Sequence, residues 1–228
     1  MLKPRTPDNE DARLRILDAL QILDTASEQS FDDLVQLASI ICEVPIALVS
    51  IVGEDRQWFK ARKGLEMKGS SRDVSFCGHA VGDDAALIVD DALADARFHD
   101  NPLVVNHPHI RFYAGMPLRT REGLAMGTLC VIDRQPRGLS DVQRDALERL
   151  ARQASQLLEQ RRLRLEMEAM IKDLKLLSGF IPICAYCRKI RGKDNAWVDL
   201  EVYLRDSSNA VATHGMCNVC FKEMTEAL

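Results

Sequence analysis

The chain has 228 residues, 46% hydrophobic and 28% charged, the composition of an ordinary globular protein with length for one medium domain and a smaller one. Its net charge of −4 divides as −5 over residues 1–139, +1 over 140–178 and 0 over 179–228, so no part carries the basic excess that phosphate contacts with nucleic acid require. No apolar run approaches the roughly 20 residues of a membrane span, and the start Met1-Leu2-Lys3-Pro4-Arg5 lacks a secretory signal's apolar stretch, which predicts a cytoplasmic protein without membrane or nucleic-acid partners.

A proline-punctuated tail over 1–13 precedes two amphipathic helices. Leu14, Leu17, Leu20 and Leu23 mark the first, and Phe31, Leu34, Val35, Ala38 and Ile41 the second. The apolar run Val44 to Val52, the turn Gly53-Glu54-Asp55 and the mixed run Arg56 to Arg62 predict an antiparallel hairpin. Ser75 caps a short helix over Phe76 to Val81, and Leu87 to Val89 forms a short strand. A histidine-rich loop, Phe98 to His109, leads to two further strands, Arg111 to Thr120 and Leu124 to Asp133, with Gly123 between them. Helices followed mainly by strands give an α+β fold with a largely antiparallel sheet.

From Leu139 to Leu177 there is neither Pro nor Gly. Apolar residues recur at Leu147, Leu150, Ala154 and Leu157, then at Leu163, Met167, Met170, Leu174 and Leu177, with a phase slip at Arg161-Arg162. The expectation is one long helix over 139–178, at least part of it a dimer seam, although packing on its own domain satisfies the same pattern. Gly179 and Pro182 end it, and residues 179–228 form a separate module.

The blocks Ser75-Phe76-Cys77-Gly78-His79-Ala80-Val81, Asp95-Ala96-Arg97-Phe98, Arg111 to Leu118 and Gly127 to Asp133 resemble the GAF family of small-molecule sensor domains over residues 14–155. The resemblance implies a central antiparallel sheet with a ligand pocket on one face and a helical, often dimeric, face on the other. It does not identify the ligand. The last fifty residues resemble a small module found behind PAS, GAF and receiver domains, carried by Ile181 to Arg191, Trp197 and His214 to Cys220.

Within that module, Cys184 and Cys187 form one Cys-x2-Cys pair and Cys217 and Cys220 another, 29 residues apart, a number and spacing suited to tetrahedral Zn²⁺ in a zinc-ribbon-like unit. Arg188, Lys189 and Arg191 favour the thiolate form, and His214 is either a fifth candidate ligand or a neighbour of the site. The rival reading is a redox switch in which the pairs form disulfides.

In the sensor domain Cys77 is either a reactive thiol near a helix start or a small buried hydrophobe, and Cys130 belongs to the core. Cys77, His79, Arg111, Tyr113 and Asp133 are the candidate ligand-binding residues, and any of His99, His107 and His109 is a lesser one. The expected function is a non-enzymatic sensor or adaptor: a small molecule in the pocket shifts a homodimeric helix, and the zinc module meets a protein partner. The alternatives are a thiol-based redox sensor, or an enzyme similar to GAF-type methionine sulfoxide reductases with Cys77 as nucleophile. The loop Phe98 to Gly115 supplies no second thiol for that enzyme.

Overall fold

The computed structural model describes residues 1–178, 182–192, 195–207, 215–217, 221, 222 and 224, the side chains of 173–178 excepted. Two compact units divide the chain, Met1–Leu165 and Glu166–Leu228.

In the first unit, α1 (Glu10–Leu20) and α2 (Gln29–Cys42) precede β1 (Ile46–Val52), β2 (Arg56–Lys63) and the short β3 (Gly69–Ser71). A 3-10 turn, α3 (Phe76–Gly82), β4 (Leu87–Val89), α4 (Pro102–Val105), β5 (Phe112–Arg119) and β6 (Ala125–Asp133) follow, and then α5 (Asp141–Ser178). The strands form one sheet in the order β3-β2-β1-β6-β5-β4, every neighbour antiparallel. The expected hairpins and the capped helix are present, while β3 and α4 fall in segments whose mixed composition carries no period.

Because side chains alternate along a strand, the central strands feed two cores. Ala47, Val49, Ile51, Phe112, Ala114, Met116, Leu129 and Val131 pack with α1, α2 and the start of α5. Ile46, Leu48, Tyr113, Cys130 and Ile132 pack with α3 on the other face. All seven residues of β1 are buried, as expected of a central strand covered on both sides.

Two expectations change. Residues 1–13 are not a loose tail: the Leu2 amide donates to the Arg97 carbonyl, and Pro4 and Arg5 lie so close to α3 that a Cβ at Gly78 or Gly82 would collide with them. These two glycines, one helical turn apart, leave a smooth face for the segment. In the first turn of α1, buried Arg13 donates to Glu10 and to the Val52 and Gly53 carbonyls, and Arg72 reaches the same Glu10 and Gly53. On α2, Ile41 faces outward and Cys42 is buried in its place.

The first apolar set of α5 packs on its own domain instead of forming a dimer seam: Leu147, Ala151, Ala154 and Leu158 are buried in the core, with Leu150 and Leu157 against it. The phase slip has a physical cause. Arg161 donates to the Leu20 and Gln21 carbonyls and pairs with Glu28, while Arg162 bridges Glu122 and Glu159, so two arginines fasten the helix where its apolar face leaves the sheet. Beyond them Leu163, Met167 and Met170 are exposed.

In the second unit, β7 (Ile190–Arg191) pairs with β8 (Trp197–Val198), and α6 (Leu200–Ser207) follows. Among the described residues, no helix is long and apolar enough to cross a membrane.

Candidate functional site

The face of the sheet under α3 encloses a small cavity lined by Ile46, Leu48, Phe59, Phe76, Cys77 and Tyr113, with Leu65, Met67, Leu103 and Pro108 towards its rim. About 20 Å³ is open to the centre of a water-sized sphere, room for roughly one water molecule. Leu65, Met67 and Leu103 are only half-buried, and they belong to the β2–β3 connection and α4. The cavity's deep wall is therefore sheet and helix, and its rim is made of less buried segments.

Ser75 places α3 over this cavity. Its hydroxyl accepts from the Gly78 amide at 2.8 Å, capping the helix, and donates to Gln57 Oε1 at 2.7 Å. Gln57 donates on to Ser70, joining β2, β3 and α3 through one satisfied polar group. Phe76 stacks on Phe98 at 4.0 Å between ring centroids and leans on Tyr113 at 5.1 Å.

At the cavity's inner end Cys77 meets two other strands. Its sulfur lies 3.9 Å from that of Cys130 and accepts from the Tyr113 hydroxyl at 3.4 Å; Thr128 Oγ1 is 3.4 Å from the same hydroxyl. Gly115 is required there, because a Cβ would stand 2.2 Å from the Tyr113 oxygen. Burial alone raises the Cys77 thiol pKa, but hydrogen bonds from Cys130, Thr128, Tyr113 and Ser50 outweigh it and lower the value to about 6. Burial and the neighbouring Cys77 charge raise Cys130 and Tyr113 well above their usual values, so both keep their protons. A thiol whose pKa is lowered, beside two groups whose pKa values are raised, is the chemical character of this cluster.

Of the five candidate ligand residues, Cys77 and Tyr113 line the cavity and touch. His79 is turned away, its Nε2 3.2 Å from the Leu2 carbonyl and its ring edge-on to Phe98; burial lowers its pKa. Arg111 donates to the Val104 and Ile110 carbonyls and closes its own loop. Asp133 accepts from the Arg134 amide and pairs with Arg137 at the end of β6. Ion-paired or carbonyl-bound polar groups at strand ends thus brace loops here. Cys130 was assigned to the core by its apolar neighbours and is fully buried. Its approach to Cys77 was hidden because it depends on the pairing of β5, β6 and α3, although strand alternation sets Thr128, Cys130 and Ile132 on one face.

In the second unit Cys184 begins a tight turn: the Arg188 amide donates to the Cys184 carbonyl, the Cys184 amide donates to Lys189, and Arg188 has a positive φ of 61°. Hydrogen bonds from the Cys187 and Tyr186 amides, then from the Cys187 thiol, lower the Cys184 pKa. Amide donors around a cysteine at the head of such a turn suit a thiolate ligand. Among the described residues no group of three or more His, Cys, Asp or Glu side chains is gathered for a metal ion; Cys220 and His214 lie outside them.

The family description that matches residues 27–158 is GAF domain. A cyclic di-GMP phosphodiesterase of Pseudomonas aeruginosa is 44% identical over 138 residues, which are 60% of this chain and 24% of that protein. The chain thus matches about a quarter of its relative's length. The GAF domain of an Acinetobacter phosphoenolpyruvate-protein phosphotransferase superposes with a TM-score of 0.51 at 21% identity, covering 68% of this chain and 95% of that one. A domain assigned to a two-component sensor histidine kinase of Sinorhizobium meliloti gives 0.51 at 18%, covering 64% and 99%. The sheet carries helices on one face and a cavity under a short helix on the other. With the family match over more than half its length, the chain belongs to the GAF domain family.

Proposed function

We propose that this chain is a non-enzymatic sensor in which a small molecule enters the Cys77–Tyr113 cavity and alters α5. The observation that carries the reading is the sharing of strands between the two faces: Tyr113 lines the cavity and Cys130 packs on the same side, while Phe112, Ala114, Leu129 and Val131, one residue away, face the core that holds α5. A ligand that separates the rim residues and binds one arrangement more tightly would shift the packing of Leu147 to Leu158. The helix continues from the first unit into the second, which provides a covalent route for the change.

In this reading Cys184, Cys187, Cys217 and Cys220 hold Zn²⁺, and the turn at Cys184 with its amide donors supports it. The exposed Leu163, Met167 and Met170 supply a homodimer seam, and the zinc module meets a protein partner in the cytoplasm. The relative named as a phosphodiesterase supports an input role alongside an enzyme. Its activity is not assigned to this chain, which matches only 24% of it.

Thermal unfolding of the intact chain with phenol, imidazole and indole as probes tests the cavity. At least one probe raises Tm in the native chain and fails to do so in Cys77→Phe, whose larger side chain fills the space. Equal shifts in both proteins, or none in either, would reject the binding role.

A further inference from the structure

The cavity ends on two thiols that the signalling role leaves unused. Cys77 lines the cavity, and Cys130 lies behind it, sulfur to sulfur 3.9 Å apart. A disulfide needs about 2.05 Å, so the sulfurs must approach by roughly 2 Å. The two thiols are chemically unequal. Cys77 accepts a hydrogen bond from the Tyr113 hydroxyl and has its pKa lowered, whereas burial raises that of Cys130. One member of the pair is therefore prepared to attack and the other to follow.

The space beside Cys77 selects the oxidant. About 20 Å³ admits a molecule close to water in size, and hydrogen peroxide is the smallest hydroperoxide that fits this description. The lining is almost wholly apolar, so a neutral oxidant enters at less cost than a charged one.

We infer that Cys77 and Cys130 are an oxidant-responsive dithiol in which hydrogen peroxide reaches Cys77 through the cavity and Cys130 completes an intramolecular disulfide. This deepens, and rests on, the reading of the cavity as the sensor's receiving site. In the first step the Cys77 thiolate attacks one peroxide oxygen, the O–O bond breaks, and Cys77 becomes a sulfenic acid as hydroxide leaves and takes up a proton to form water. In the second, the Cys130 sulfur attacks Cys77, the S–S bond forms, the S–O bond breaks, and the Cys130 proton leaves with the hydroxyl as water. Two thiols lose two electrons and one peroxide becomes two waters. The product ties α3 covalently to β6, where a thiol–thiol contact now joins them.

The test is non-reducing peptide mapping of the intact chain after brief treatment with hydrogen peroxide. The expected result is a linked pair of peptides containing Cys77 and Cys130, lost in either single serine variant. In Cys130→Ser, the Cys77 sulfenic acid is trapped by dimedone present as the chain is unfolded in urea after the peroxide is removed; in Cys77→Ser, Cys130 stays reduced. Circular dichroism verifies that the variants fold, and the mapping of the native chain does not depend on them. The inference is overturned if Cys77 and Cys130 both stay reduced while the cysteines of the second unit oxidise, or if oxidised Cys77 links to another cysteine. A chain that shows that result and still gains Tm with phenol keeps its receiving site and loses only the dithiol.

Discussion

Glu10 shows how one residue ties the amino-terminal segment to the sheet. Its carboxylate is partly desolvated, which raises its pKa, but hydrogen bonds from Arg13 and Arg72 overcome this and lower it to about 2 from 4.5. A folded-state value below the unfolded one stabilises the protein above pH 4.5, and the contribution is lost as pH falls towards 2. Discounted for solvent screening at a partly exposed position, it is about 1–2 kcal/mol. Glu10→Gln should thus lower urea stability near neutrality by about that amount, with the difference from the native chain vanishing as pH approaches 2. Gly115 makes a second test. Its replacement by Ala drives a methyl into the Tyr113 hydroxyl, so a loss of about 1–3 kcal/mol is expected by denaturant unfolding. The sequence displayed Tyr113 and Cys77 as cavity residues but gave no sign that His79, Arg111 and Asp133 brace loops, because each of their partners is a backbone carbonyl, an amide or an ion fixed by the tertiary fold.

Among the elements, α3 depends on its cap and α5 on its first half. Ser75→Ala removes the bond to the Gly78 amide and leaves Gln57 Oε1 with only the longer bond from Ser50, a loss of about 1–2 kcal/mol by the same measurement. Leu147 is fully buried and Leu163 is exposed, so Leu147→Ala should cost about 2–5 kcal/mol and Leu163→Ala under about 0.5 kcal/mol. A large cost at Leu163 in dilute protein would place the seam against the chain's own domain instead of a second copy. The helices and strands were legible because period and punctuation agree in the stretches that form them: Gly53-Glu54-Asp55 turns one hairpin and Gly123, at φ 84°, turns another. In α5 the same period described two different environments, and only the carbonyls reached by Arg161 show where one ends.

At the scale of the whole molecule, α5 runs from the GAF domain into the unit that carries Cys184 and Cys187. Elemental analysis of protein purified without added metal or chelator should find about one zinc per chain, lost in Cys184→Ser and retained in His214→Ala. Zinc-free protein with oxidising thiol pairs would replace the metal site with a redox one. The antiparallel sheet and its flanking helices were readable from period and punctuation. The cavity's size was not, since side chains from β1, β2, α3 and β5 converge to nearly fill it and no single segment encodes that volume.

The central claim is that events in the Cys77–Tyr113 cavity reach α5 across the sheet. Amide hydrogen exchange of the intact chain, with and without the probe that raises Tm, tests it most directly. The account predicts altered protection around Leu65, Met67 and α3 and also along Leu147 to Leu158, which do not line the cavity. Failure of every probe to bind, or protection confined to the cavity with α5 unchanged, would contradict it.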